Sequence, residues 1–232
     1  MTAFKFFSRF VSVIWFTISY ADAATFNSTS ELQTNQRAAA YFTSPAVIDA
    51  IAQMALAKEK KFGVQPDCNN YDAKLLALDL LSPLDFPAEQ EHPVKGHWRA
   101  IIALNRCGQQ RVYTGIFVAV DQAVPKSKFL YAGISLASET LMGDAIGYAR
   151  LSILIKDPAT SECKDVEFFN TAINERPALT DPQSSRIVNP WKETWSFWLC
   201  GKVHSVGLRF EPDKDGNGTR FFVDARLPVK SR

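Results

Sequence analysis

The stretch Trp191-Lys192-Glu193-Thr194-Trp195-Ser196-Phe197-Trp198-Leu199-Cys200-Gly201 carries the most structural information in this chain. Trp191, Glu193, Trp195, Phe197 and Leu199 recur with a period of two, which places them on one face of a β-strand. Cys200-Gly201 then marks a tight turn, and Val203–Glu211 is expected to return as a second strand. The same grammar occurs earlier. Trp98, Ala100, Ile102 and Leu104 alternate, Cys107-Gly108 follows, and Val112–Asp121 returns.

Trp98 and Trp191 each stand nine residues before a Cys-Gly pair. Asp49-Ala50-Ile51 begins 19 residues before Cys68, and Asp144-Ala145-Ile146 begins 19 residues before Cys163. Four landmarks in one order, 93 to 95 residues apart, predict a tandem duplication. The expected organisation is a leader at 1–23, an N-terminal arm or short helix at 24–43, a first repeat at 44–136 and a second at 137–232, packed together as one unit. Each repeat holds two cysteines, so the duplication selects Cys68–Cys107 and Cys163–Cys200 among the three possible pairings.

Each repeat opens with a helix. Ser44-Pro45 supplies an N-cap and a first-turn proline, and Val47, Ile48, Ile51, Met54, Ala55 and Phe62 follow at helical spacing until Gly63. Ser138 caps the second helix, which runs to about Ile155 with a core face of Leu141, Met142, Ala145, Tyr148 or Ala149, and Leu151 or Ser152. Gly143 and Gly147 weaken that helix unless they permit close packing. Strands near 71–82 and 164–174 precede the tryptophan strands, and Lys128–Ile134 and Thr219–Leu227 offer a fourth strand in each repeat. The fold class is α+β, a helix with three to four mostly antiparallel strands given twice, with the helices on one face of the sheet.

The chain has 232 residues, with 26 basic and 24 acidic side chains, a formal charge of +2 and 47% apolar content. That composition belongs to a folded chain with a core, and the balanced charge argues against nucleic acid as a partner. Lys5 and Arg9, the apolar run from Phe10 to Tyr20 and Ala21-Asp22-Ala23 read as a secretory signal cleaved after Ala23. No transmembrane anchor is expected after that cleavage. An even number of cysteines in an exported chain implies disulfides and a periplasmic or secreted location.

The chain resembles a group of uncharacterised exported proteobacterial proteins. Their marks are a Trp-x-Glu-x-Trp strand leading to Cys-Gly, and a later Pro-Asp-x-x-Gly-x-Gly-Thr hairpin. Here these are Trp191 to Trp195, Cys200-Gly201 and Pro212 to Thr219. The first repeat departs from the pattern, with Trp98-Arg99-Ala100 and no glutamate or second tryptophan. The resemblance implies a bacterial, exported setting and carries no activity with it.

Candidate chemistry is sparse. Asp213, Asp215, Asn217 and Asp224 have the spacing of a calcium loop, but the flanking segments read as strands and favour a hairpin turn. Gly133-Ile134-Ser135-Leu136-Ala137 has the outline of a nucleophile elbow, with His204 as the only later histidine. Ser135 is more simply a residue just before a helix. Glu91, His92 and His97 flank Pro93 and Gly96 in an expected loop without metal-ligand register. No catalytic residue, metal or cofactor is therefore expected.

The function expected is a non-enzymatic envelope component that binds another protein or joins an assembly, with Trp198, on the opposite strand face, as a possible contact. The alternatives are a small hydrolase using carboxylates such as Glu193 and Asp144, and a small-ligand carrier with a pocket between helix and sheet.

Overall fold

The computed structural model describes residues 24–64, 70–121, 123–178, 187–214 and 218–224. The expected signal segment and Cys68 lie outside these residues. The elements, in order, are β1 (Ala24–Phe26), α1 (Thr29–Thr34), α2 (Gln36–Thr43), α3 (Pro45–Lys61), β2 (Tyr71–Phe86), β3 (Lys95–Arg106), β4 (Gln109–Ala119) and β5 (Lys126–Ala132). There follow α4 (Glu139–Lys156), a 3-10 turn at Pro158–Glu162, β6 (Val166–Glu175), β7 (Trp191–Leu199), β8 (Lys202–Pro212) and β9 (Thr219–Asp224). The nine strands among the described residues form one sheet in sequential order. The chain is thus α+β, and each half presents a helix followed by four antiparallel strands.

Local chemistry explains the element ends. The Ser44 hydroxyl accepts from the Val47 amide at 3.3 Å and Pro45 opens α3. At the other end Gly63 adopts φ +63°, with its amide on the Lys60 carbonyl and the Val64 amide on the Glu59 carbonyl, a Schellman closure. Both expected hairpins form. Arg106 faces Gln109 and Leu199 faces Lys202, leaving Cys107-Gly108 and Cys200-Gly201 as two-residue loops. All four loop residues have positive φ, the signature of a type I′ turn, whose twist matches that of the strands. The stacked pairs Trp98–Phe117 and Trp191–Phe210 face each other across these hairpins. Cys163 and Cys200 are disulfide-bonded, closing 37 residues. Cys107 is also disulfide-bonded, and Cys68, its expected partner, lies outside the described residues.

Residues 24–43, expected as an arm or short helix, form β1 and the short helices α1 and α2. β1 pairs with β2, and Phe26, Leu32, Ala38 and Phe42 are buried, with Phe42 edge-on to Trp98. This segment completes the first core, together with α3 and the inward faces of β3 and β4.

One expectation is corrected: the helices do not share a face of the sheet. Leu130 and Ala132 of β5 pack into the core beneath α3, whereas Phe129 and Tyr131 pack into the core beneath α4. Alternate residues of a strand point to opposite faces, so α3 and α4 cover opposite sides. The cause is the junction. β5 and β6 run parallel, with Ala132 opposite Asn170 as their one paired position. β6 therefore starts the second meander in the direction opposite to that in which β2 starts the first. A helix-and-meander unit of fixed hand can be laid down with reversed strands only by turning it over, which carries its helix to the other face.

Gly133 closes this junction. It adopts φ +88°, its amide donates to the Val112 carbonyl at 2.8 Å, and a Cβ there would lie 1.9 Å from the Thr171 carbonyl oxygen. The neighbour is β6 backbone, which has no rotamer to yield. Gly143 and Gly147 are different: nothing lies within 4 Å of a Cβ on either, so neither serves packing within the described chain.

Gly133→Ala is expected to cost at least about 3 kcal/mol through backbone strain and overlap at the junction. Urea unfolding measures it, and an unchanged midpoint would show that β5 and β6 do not need this close approach.

Candidate functional site

Glu193 is 1% exposed, and its carboxylate accepts five hydrogen bonds. Oε1 accepts from the Leu136 amide at 2.8 Å and the Trp191 indole at 2.9 Å. Oε2 accepts from Ser135 Oγ at 2.8 Å, Thr171 Oγ1 at 3.1 Å and the Trp195 indole at 2.7 Å. Amide and indole N–H groups can only donate, so both oxygens are committed as acceptors. The Ser135 hydroxyl also accepts from the Ala137 amide at 3.1 Å, fixing the approach to α4. The elbow-like run is therefore structural. Its glycine admits the Thr171 carbonyl and its serine ties the crossover to Glu193.

The other expected chemical partners do not join this group. Asp144 is exposed on α4. His204 lies opposite Phe197 while Glu193 lies opposite Leu208, an offset of four strand residues or roughly 13 Å. His204 is buried, and neither ring nitrogen has a hydrogen-bond partner among the described residues. Burial lowers its pKa below the ordinary 6.5, opposed by the nearby Asp157 and reinforced by Lys202. A serine, histidine and acid are thus all present without forming a catalytic line. Nor does Glu193 share a cleft with Asp144.

The metal candidates are likewise dispersed. His97 pairs with Glu139 at 2.9 Å, while His92 contacts the Pro93 carbonyl. Asp213 pairs with Arg220 at 3.2 Å in the β8–β9 hairpin. Asp224 lies five strand residues beyond Thr219, roughly 17 Å away, and Asp215 and Asn217 fall outside the described residues. Among the described residues no group of three acidic, histidine or cysteine side chains could hold a metal ion.

Trp198 does lie on the face opposite Trp195 and Phe197, but it is half-buried against Phe62 at the end of α3, 5.0 Å between ring centres. Phe62 also meets Phe169 edge-on. Trp198 therefore belongs to the contact by which the first half grips the second. A second buried acid, Glu59 of α3, serves the first half alone. It accepts from Tyr113 at 2.7 Å and from Arg106 and Arg111 at 3.3 Å. The sequence hint was its place in the buried series Ile51, Ala55, Glu59, one helical turn apart.

What remains open is the outer face of α4. Met142, Ala145, Ala149 and Ile153 are buried beneath the helix. Leu151 and Ile155 face outward, at 50% and 72% exposure, and Tyr148, 61% exposed, flanks them with its ring edge-on to Phe221 of β9. The spacing alone allowed Tyr148 or Ala149 and Leu151 or Ser152 on the core face; packing selects Ala149 of the first pair, while in the second Leu151 is exposed, Ser152 only half-buried, and the neighbouring Ile153 is the residue that is buried. The uncovered face carries Gly143, Gly147 and Leu151 on one line, four residues apart, beside Tyr148 and Ile155. A helix apolar on both sides is normally buried on both.

Glu193→Gln replaces one acceptor oxygen by a donor group and sets it against committed donors. We expect a loss of about 3 kcal/mol in urea unfolding, and wild-type stability would sink the structural role assigned to the carboxylate. His204 predicts an acid dependence. Its folded pKa is depressed, so below pH of about 6.5 the unfolded chain takes up a proton that the folded chain resists, and stability falls with pH until the folded pKa is reached. His204→Leu should narrow the difference in Tm between pH 7.5 and pH 5.5, and an equal difference in both proteins would refute the assignment.

Among the described residues no helix is long and apolar enough to cross a membrane. No known protein family, curated protein or solved structure matches this chain.

Proposed function

We propose that the chain is an exported, non-catalytic protein of a bacterial envelope that binds another protein through the outer face of α4. Its architecture is read as a tandem duplication with a Cys68–Cys107 disulfide matching Cys163–Cys200. The repeated order of helix and four strands, the two Cys-Gly I′ turns and the two stacked Trp–Phe pairs support the duplication. The Cys163–Cys200 disulfide suits an oxidising compartment outside the cytoplasm.

The observation that carries the binding role is the exposed series Tyr148, Leu151 and Ile155 beside two unfilled glycines. Apolar side chains grouped on an exposed helix mark interaction surfaces, and glycines one turn apart let a partner backbone approach closely. The hydrolase alternative loses support because its principal carboxylate, Glu193, is sealed beneath the helix and committed to five donors.

A photo-crosslinking residue at Leu151, expressed in the source cells, is expected to give an adduct with one defined envelope protein, while the same residue at exposed Lys74 gives none. Gly143→Ala combined with Gly147→Ala should stabilise the isolated protein by about 1 kcal/mol per site, since alanine is the better helix former, yet abolish the Leu151 adduct. No adduct at Leu151, equal adducts at both positions, or an adduct indifferent to the alanines would overturn the proposal.

A further inference from the structure

The parallel junction leaves a cleft. Below the Ala132–Asn170 position no further residue pairs join β5 to β6. The opening between them has a volume of about 580 Å³, and α3, β5, α4, β6 and β7 all contribute to its wall. Its apolar lining includes Met54, Phe129, Ile146, Val166, Phe168 and Phe197. Its polar lining is biased in charge: Lys58, Lys61, Lys128 and Arg150 accompany one carboxylate, Glu167.

Two of these cations are already engaged. Lys61 pairs with Glu167 at 3.0 Å, and Lys128 pairs with Glu139. Lys58 instead reaches into the opening and donates to the backbone carbonyls of Leu130 in β5 and Phe168 in β6, bridging the strands where ladder bonds are missing. An ammonium has three donors, so one is left over. Burial lowers the Lys58 pKa, opposed by the Glu167 carboxylate and reinforced by Lys61. Arg150, across the cleft on α4, has no ion pair among the described residues.

We infer that this cleft is a binding site for a monocarboxylate with an apolar chain, its carboxylate held between Lys58 and Arg150 and its chain lying against Met54, Phe129, Ile146 and Phe197. The volume falls within the usual range for small-molecule sites, which combine an apolar lining with few charged groups that fix orientation. A carboxylate suits both cations: it accepts the spare Lys58 proton and presents two oxygens to the planar Arg150 fork. Among the described residues α4 lends the cleft Ile146 and Arg150, not Tyr148, Leu151 or Ile155, so the site is separate from the outer face of that helix.

Calorimetric titration of the purified, oxidised protein with decanoate, decanol and acetate tests it. Decanoate is expected to bind saturably at one site, and decanol and acetate each at least about tenfold more weakly, for want of the charge and of the chain respectively. Arg150→Gln should weaken decanoate about tenfold and leave decanol unchanged. Lys58→Met should also weaken decanoate; Arg150 lies on an exposed helix position, so its variant keeps the test decisive if the lysine variant fails to fold. Absence of saturable decanoate binding, equal affinity for decanol or acetate, or an Arg150→Gln protein that binds decanoate normally would overturn the inference.

Discussion

A carboxylate sealed from water has to be surrounded by donors, and the second half of this protein is organised around meeting that demand at Glu193. The five donors come from the loop before α4, from β6 and from β7. Removing any one of these elements would leave either the acid or a buried N–H without a partner, and each such loss costs on the order of 1–3 kcal/mol. The bonds therefore do more than stabilise. They specify where the chain entering α4 meets the sheet, and with Gly133 against the Thr171 carbonyl they set how β6 follows β5. The first half solves a similar problem by other means, burying Glu59 of α3 beside two arginines and a tyrosine of the β3–β4 hairpin.

The parallel pairing of β5 and β6 has two consequences. It turns the second unit over, so that each helix covers the opposite face of the sheet from its counterpart. It also ends ladder pairing early, so that a side chain, Lys58, bridges strands that backbone groups do not join. The cleft and the exposed outer side of α4 both follow from this arrangement. Because α4 lies alone on its face of the second half, no neighbouring helix among the described residues covers Leu151 and Ile155, and Tyr148 meets only the edge of Phe221. The buried acids Glu193 and Glu59 hold this arrangement in place.

Much of the architecture was legible in the chain itself. Period-two alternation located β3 and β7, the Cys-Gly pairs located their turns, and Ser44-Pro45 and Ser138 located the helix starts. These features are local: a few neighbouring residues fix them through backbone sterics and capping. Ser135, by contrast, has one meaning in its pentapeptide and another once Glu193 is brought to it from 58 residues away. Trp198 alternates outward as the pattern says, yet whether outward means solvent depended on Phe62, which no spacing rule connects to it.

Residues near one another in the chain dictate the α+β class, the helix and following strands of each half and the hairpin turns, because periodicity, caps and turn geometry act over a few residues, and the repeated cysteine spacing pointed to the Cys163–Cys200 link. Contacts between distant segments put the helices on opposite faces, make Glu193 a structural hub, bring Arg150 and Lys58 to one cleft and leave one side of α4 uncovered. These depend on the direction in which β6 joins β5. That direction is set by contacts between residues distant in the chain, above all the Gly133 approach to Thr171 and the donors gathered on Glu193.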